Sequence, residues 1–228
     1  MSPYSLEHLN NQLDCFDSIK EDYLYNFSWI SNKPLIGPRT LQLILTTKCN
    51  LRCAMCDAWK APRLEEVDSF YAKKIIDDIY KMGNLKEVLF TGGEALLHPD
   101  IFNLIKYVND YYPNSCKILN TNGLLLNKEN INNLINVKLD ILSLSIDSPV
   151  PEIHNSLRGP GVLEKVIEAL DYLNAEKKRR NIQYPQLVIC SVLMNQTLDT
   201  IYDMLDFCMK HNIVNILIQP YVYNIDFV

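Results

Sequence analysis

The sequence predicts an α/β protein built on a parallel sheet, and two patterns carry that prediction. Six apolar runs, each bounded by turn residues, are typical of strands that are buried on both faces. Stretches with helical periodicity lie between these runs, and alternating strands and helices joined by right-handed crossovers give a parallel sheet. The predicted strands are Leu41–Leu45, Val88–Phe90, Ile118–Leu119, Ile141–Ile146, Leu187–Leu193 and Ile213–Ile218.

Three of the connecting segments carry apolar stripes at helical spacing, which we interpret as faces that pack on the core. Two of them follow candidate N-cap residues, since short polar side chains accept hydrogen bonds from the first turn of a helix. The stripes are Ala72, Ile75, Ile76 and Ile79 after Asp68; Val162, Leu163, Val166, Ile167 and Leu170; and Leu198, Ile201, Tyr202 and Leu205 after Asn195.

Six strand and helix units are too few for the eight of a closed barrel. Periodicity alone therefore leaves two architectures, a partial barrel and an open doubly wound sheet. Both place their chemistry beyond the carboxyl ends of the strands. Residues 1–38 have a weaker helical pattern that is broken at Pro34, Gly37 and Pro38, so we predict an N-terminal helical extension followed by one core domain over residues 39–228.

Composition narrows the class of protein. The formal net charge is -5, and lysine and arginine are spread along the chain, so nothing predicts binding to nucleic acid. No run approaches the roughly 20 apolar residues that span a bilayer, and the N-terminus lacks the layout of a signal peptide. We therefore expect a soluble, cytoplasmic protein without a membrane partner, acting on a small molecule or a peptide.

Three of the seven cysteines lie within eight residues, as Cys49, Cys53 and Cys56. Clustered thiols indicate metal binding rather than a disulfide framework, and thiolates select zinc, copper(I) or an iron–sulfur cluster. A structural zinc ion takes four protein ligands, so zinc requires His98 or Cys15 as the fourth. Three ligands on a four-iron cluster instead leave one iron open. Thiols that are merely buried are the third interpretation.

A second motif, Gly92-Gly93-Glu94, follows the second predicted strand. Two adjacent glycines let a ligand approach the main chain without meeting a Cβ, and the neighbouring carboxylate can neutralise an ammonium group. Taken alone, the motif also fits an ordinary tight turn with a solvated acid. Glycine is scarce in this chain, yet most of its seven glycines follow predicted strands: Gly92, Gly93, Gly123, Gly159 and Gly161.

The three-cysteine spacing, with the apolar Met55 before the third cysteine and Gly92-Gly93-Glu94 downstream, resembles the radical S-adenosylmethionine (SAM) superfamily over roughly residues 40 to 220. The resemblance implies a partial (β/α)6 barrel and a 4Fe-4S cluster on Cys49, Cys53 and Cys56. It also implies that SAM binds the fourth iron and is cleaved reductively to a radical that abstracts hydrogen from substrate. Such enzymes act in peptide, natural-product or cofactor maturation.

The resemblance also implies roles for single residues, which we state as expectations. The main chain of Met55, at a position that is more often aromatic in the family, approaches the adenine. Gly92, Gly93 and Glu94 bind the amino group of SAM, and Thr121 and Asn122 lie near the ligand. The remaining expected contacts are Ser145 with the ribose or carboxylate, Arg158 with the carboxylate, Leu193 beside Val192 on the adenine, and Gln219 or Tyr221 with substrate. A surface arginine is the alternative for Arg158.

Two further expectations concern partners and extent. The loop from Lys48 to Arg63 carries Lys48, Arg52, Lys60 and Arg63 against Asp57, so its net charge is 4 − 1 = +3, which favours an acidic one-electron donor such as flavodoxin. A solvated loop is the alternative. No second cysteine cluster follows, so the chain is either a minimal core or lacks a C-terminal portion. The rival function is a non-catalytic zinc or iron–sulfur module.

Overall fold

The computed structural model describes residues 20–21, 23–32, 34–60 and 66–221. Within these residues lies one six-stranded sheet whose neighbouring strands are consecutive in the chain and all parallel. A doubly wound sheet would reverse its strand order at a switch point, so the sequential order supports the partial barrel. The strands are β1 (Thr40–Ile44), β2 (Glu87–Thr91), β3 (Cys116–Thr121), β4 (Ile141–Ser145), β5 (Gln186–Leu193) and β6 (Ile213–Pro220).

Helices connect the strands, as the periodicity predicts. The first, α1, is helical at residues 20–21 and 23–31, inside the predicted extension, whose residues 1–19 lie outside the described part of the chain. Asp68 caps α2, because its carboxylate accepts a hydrogen bond from Phe70 N at 2.8 Å. The other helices are α2 (Ser69–Lys81), α3 (Ile101–Tyr111), α4 (Lys128–Asn136), α5 (Pro151–Arg158), α6 (Val162–Arg180) and α7 (Ile201–His211).

The two faces of the sheet differ in burial. Side chains such as Val88, Phe90 and Leu144 are fully buried in the core that the helices cover. Successive side chains of a strand point to opposite faces, so the residues between them form the inner face of the partial barrel. This inner face is mixed rather than apolar, and near the carboxyl ends of the strands it carries Thr91, Asn120, Ser145, Cys190, Val192 and Gln219.

The predicted core stripe at the last helix is wrong in part. Leu198 and Leu205 are about half exposed and Tyr202 is 82% exposed. The helix begins at Ile201, after a short 3-10 turn, and its buried face is instead Met204, Phe207, Cys208 and His211. With the exposed Val214, Leu217 and Ile218 of β6, this end of the sheet presents apolar side chains to solvent. Ile75 of α2 is also exposed, whereas Ala72 and Ile76 are buried as predicted.

Candidate functional site

The loop that carries Cys49, Cys53 and Cys56 follows β1, and we call it the cysteine loop. It lies at the carboxyl ends of the strands. All three of its thiols are free, and they differ in exposure: Cys53 is buried, Cys49 is half-buried and Cys56 is exposed. Cys56 N donates to Cys53 O at 3.2 Å, and Leu51 N donates to the sulfur of Cys49 at 3.4 Å. Burial raises the pKa of Cys53 against the opposing charge of Arg158, and Cys49 and Cys56 add to the rise. The loop therefore carries three free thiols of unequal exposure.

The main chain of Gly92 and Gly93, just after β2, packs closely against this loop. Gly93 N donates to Thr46 O and Glu94 N donates to Lys48 O, each at 2.8 Å. A Cβ on Gly92 would lie 2.4 Å from Thr46 O, and one on Gly93 would lie 2.3 Å from Lys48 O. In this structure the group that approaches the two glycines is the cysteine loop, and their contact with SAM remains a prediction.

Glu94 is buried and engaged by the protein. Its side chain is 1% exposed and accepts hydrogen bonds from Leu96 N at 3.1 Å, Thr121 Oγ1 at 2.8 Å and Asn122 N at 2.8 Å. Burial raises the pKa of this carboxyl group, and the three hydrogen bonds oppose that rise. The carboxylate thus joins the end of β2 to the end of β3, while its contact with an ammonium group remains a prediction.

Asn122 extends this connection to the cysteines. Its Nδ2 donates to Asn50 Oδ1 at 2.7 Å and lies 4.0 Å from the sulfur of Cys49, while its Oδ1 accepts from Leu124 N at 3.0 Å. Thr121 faces away from the inner face, because its hydroxyl is used by Glu94 and by Gly123 N. Sequence reasoning missed Asn50, whose side chain has no signal of its own in the motif.

Arg158 is not a surface residue, so that alternative is wrong. Its Nε and Nη2 contact the two carboxylate oxygens of Asp147 at 2.6 and 2.9 Å, and the two side chains are 9% and 0% exposed. Asp147 also accepts from Val192 N at 2.9 Å. Ser145, half-buried on the inner face, lies opposite Cys190 in the strand register. The predicted contacts of Ser145 and Arg158 with SAM remain predictions.

Helix α5 holds the other side of the cysteine loop. Leu157 O accepts from Ala54 N at 2.8 Å, one residue before Arg158. His154 is fully buried and accepts from Asp147 N through Nδ1 at 3.3 Å. Burial, and then the Arg158 charge, lowers the pKa of His154 to about 4, so the ring is neutral. Its Nε2 has no hydrogen-bond partner within the described residues.

A cavity of about 440 Å³ opens beside the cysteine loop. Met55 and Leu193, two of the three residues predicted to contact the adenine, line it together with Ala54, Leu157 and Tyr221, whereas the third, Val192, is not part of its lining. The structure therefore brings these two predicted positions to one space, at the carboxyl end of β5.

The zinc interpretation lacks a fourth ligand among the described residues. His98 uses both ring nitrogens, since Nε2 lies 2.9 Å from Val67 O and Nδ1 accepts from Asp100 N at 3.2 Å. Cys15 lies outside the described residues. In the described part of the chain, no group of three or more His, Cys, Asp or Glu side chains is arranged to hold a metal ion, so a cluster on Cys49, Cys53 and Cys56 remains a prediction.

The predicted positive face is partly neutralised. Lys48 pairs with Glu66 at 3.3 Å and Lys60 pairs with Asp57 at 2.6 Å. Arg52 folds back and donates to Cys49 O and Leu51 O at 3.0 and 2.8 Å. Arg63 lies outside the described residues. Asp57 is already counted in the net charge of +3, so Glu66 is the additional acid that lowers the charge available to an acidic partner.

The fold and the site define a partial barrel of six sequential parallel strands, with a loop that carries three free thiols after the first strand. The model of the Radical SAM superfamily matches residues 43–208, and the chain belongs to that superfamily, as its motifs predict.

Curated relatives support this membership over part of their length. The chain is 31% identical to an AdoMet-dependent heme synthase of Oleidesulfovibrio alaskensis over 132 residues, which are 57% of this chain and 33% of that protein. It is 31% identical to a GTP 3',8-cyclase of Aliarcobacter butzleri over 182 residues, which are 76% of this chain and 53% of that protein. The chain therefore spans about a third to a half of the curated relatives that it matches.

Solved structures support the fold. Streptococcus suis SuiB bound to S-adenosylmethionine matches with a TM-score of 0.71 at 19% identity, over 98% of this chain and 48% of that chain. The enzyme anSMEcpe with bound AdoMet and the Kp18Cys peptide matches with a TM-score of 0.64 at 20% identity, over 80% and 51%. Among the described residues, no helix is both long and apolar enough to span a bilayer.

Proposed function

We propose that the chain is the catalytic core of a radical SAM enzyme. Cys49, Cys53 and Cys56 would hold three irons of a 4Fe-4S cluster, and SAM would occupy the fourth. When bound, these groups supply a reductively generated 5′-deoxyadenosyl radical that removes hydrogen from substrate. The observation that carries the proposal is the three-thiol loop pinned at the mouth of a partial barrel, with His98 engaged elsewhere.

The protein's own part is to hold and orient these groups. The fixed hydrogen bonds at Gly93 and Glu94 keep the cysteine loop against the sheet. We expect the segment Gly92-Gly93-Glu94 to accept hydrogen bonds from the ammonium group of SAM through main-chain carbonyl oxygens and through the Glu94 carboxylate. That carboxylate accepts three hydrogen bonds from the protein and has about four acceptor sites. Met55 and Leu193 would flank the adenine in the cavity that they line. We expect Ser145, the last residue of β4, to contact the ribose or the carboxylate.

The substrate would enter along the inner face. The polar side chains Asn120 and Gln219, beside the mouth, suit a substrate that makes hydrogen bonds, either a small molecule or a peptide. The curated relatives are named as a heme synthase and a GTP cyclase, and two of the similar solved structures are complexes with peptides. A cluster with the exposed ligand Cys56 needs a reducing compartment, for which we propose the cytoplasm.

The test is anaerobic reconstitution. We expect a brown protein that binds about four irons per chain and releases 5′-deoxyadenosine from SAM under dithionite. The variant with Cys49, Cys53 and Cys56 all replaced by alanine should lose both iron and cleavage. The control is replacement of Cys208 on α7, which should change neither. A colourless zinc protein, or a cluster that leaves SAM intact, would contradict the proposal and favour a non-catalytic metal module.

We also propose an acidic one-electron donor of the flavodoxin class. Charge reversal by K60E and R63E should slow reduction by flavodoxin several-fold at low salt, because steering depends on long-range charge. Reduction by dithionite should be unchanged. Equal slowing with both reductants would instead indicate damage to the cluster.

A further inference from the structure

Asn122, the residue after β3, has a side-chain amide whose orientation is fixed by the protein. Its Oδ1 accepts a hydrogen bond from Leu124 N at 3.0 Å, and a main-chain N–H can pair only with the oxygen of an amide group. The Nδ2 group therefore points the other way, toward Cys49 and Asn50. The main chain of Asn122 is held as well, because its N–H donates to the Glu94 carboxylate at 2.8 Å. The residue is buried, so the whole group is fixed against the protein.

The two hydrogens of Nδ2 face two acceptors on the cysteine loop. One acceptor is Asn50 Oδ1 at 2.7 Å, and the other is the sulfur of Cys49 at 4.0 Å. An amide nitrogen carries two donors, so it can serve both acceptors at once. The same sulfur accepts from Leu51 N at 3.4 Å, which belongs to the loop itself. Asn122 thus adds a donor that reaches the sulfur from outside the loop.

We propose that Asn122 is a positioning residue that holds Cys49 in place and donates a hydrogen bond to its sulfur, and that this bond raises the reduction potential of the cluster. The inference rests on the proposed function. Reduction adds negative charge to a cluster and its sulfur ligands, and an N–H donor stabilises the more negative form. Asn122 acts through Cys49, so this role requires no contact with SAM.

Two variants remove the donor and keep the turn after β3. In N122D an oxygen replaces Nδ2, while the other oxygen still accepts from Leu124 N. In N122S the hydroxyl supports the same turn more weakly, carries no charge and ends one atom short of Nδ2. We expect a more negative reduction potential in both variants. The shift should be larger in N122D, because a carboxylate also places negative charge beside the sulfur.

The measurement is an EPR-monitored redox titration of the reconstituted protein without SAM, with iron content and thermal unfolding recorded for each variant. The matched control is Asn132 on α4, whose Nδ2 donates to Lys128 O at 2.8 Å and to the hydroxyl of Tyr172 on α6 at 3.1 Å. N132D and N132S make the same two chemical changes at a side chain that contacts helices instead of the cysteine loop. Both should keep the wild-type potential.

A further variant separates the hydrogen bond to sulfur from a general loosening of the loop. N50A removes the acceptor on the loop but leaves the amide of Asn122 facing Cys49, because Leu124 N still fixes its orientation. Its potential should therefore shift less than that of N122S. A shift in N50A as large as that in N122S would overturn the inference.

The remaining outcomes separate this inference from the proposed function. Negative shifts in N122D and N122S, with wild-type potentials in the Asn132 variants, support it. If N122D holds no iron, N122S carries the test, and loss of iron from both at wild-type thermal stability supports the positioning of Cys49. An unchanged potential in either iron-loaded variant overturns it, and weaker SAM binding at that potential would make Asn122 a direct ligand of SAM. A wild-type protein that forms no 4Fe-4S cluster would contradict the proposed function instead.

Discussion

The cysteine loop is attached to the barrel on two sides, and the attachments differ in kind. On the β2 side, Gly93 and Glu94 bond to the loop's main chain, and the close approach leaves no room for a Cβ. On the α5 side, Leu157 bonds to Ala54, and a buried ion pair stands behind the contact. The β2 attachment therefore depends on the absence of a side chain at the two glycines, and the α5 attachment on the charges of Arg158 and Asp147.

The two attachments also respond to acid with opposite signs. Glu94 has a raised pKa, so the folded protein takes up its proton more readily than the unfolded chain does. His154, which supports Asp147, has a lowered pKa, so the folded protein resists a proton that the unfolded chain accepts. Acidification therefore stabilises the protein through the β2 side of the loop and destabilises it through the α5 side.

The largest expected effect comes from G93A. The added methyl group would lie 2.3 Å from Lys48 O, a contact that only a shift of the main chain can relieve. We expect a loss of roughly 3 kcal/mol or more in the free energy of unfolding, together with loss of iron, measured by urea unfolding and metal analysis. G161A is the control, because its Cβ meets no atom within 4 Å. Placing alanine at this positive φ should lower the free energy of unfolding by only about 1–2 kcal/mol and leave the iron content unchanged. Equal iron loss in G93A and G161A would contradict the role assigned to the close contact at Gly93.

The next effect is the acid response of His154. As the pH falls from the usual pKa of 6.5 to the lowered value of about 4, the unfolded chain gains a proton that the folded protein refuses, so stability is lost. The loss is on the order of 3 kcal/mol at pH 4. Arg158 drives this shift with burial, while Asp147 and Glu164 oppose it.

H154N removes the titrating group and keeps an acceptor for Asp147 N. Urea unfolding of cluster-free protein between pH 7 and pH 4 should show the stability difference between variant and wild type shrinking as the pH falls. Curves that stay parallel would mean that His154 titrates alike in both states.

The smallest effect is expected for E94Q. Glutamine has one acceptor oxygen where the carboxylate has two, so one of the donors Leu96 N, Thr121 Oγ1 and Asn122 N loses its partner. The cost is about 1–3 kcal/mol at pH 7. Because the raised pKa of Glu94 makes the folded wild type gain stability on acidification, this deficit should grow as the pH falls. A deficit that shrinks would contradict the assigned direction.

Much of the fold could be predicted because its signals are local. The apolar run of β4, for example, needs burial on both faces wherever it lies, and the three cysteines carry their ligand chemistry in their spacing. The stripe at Leu198, Tyr202 and Leu205 failed for a physical reason. Periodicity identifies an apolar face of a helix but does not state which face the rest of the chain covers.

The site was less predictable because its partners meet only in three dimensions. The ion pair between Asp147 and Arg158, for example, depends on where α5 places the arginine side chain. The glycines of the second motif were correctly expected to permit a close approach. The sequence does not state that the approaching group is the loop after β1.

The unequal exposure of the three thiols has a consequence for handling the protein. Cys53 is buried behind the loop, whereas Cys56 faces solvent, so oxygen and alkylating reagents reach the ligand set from one direction. In cluster-free protein, Cys56 should therefore be alkylated before Cys53, and mass spectrometry of the two cysteines would measure the difference in rate.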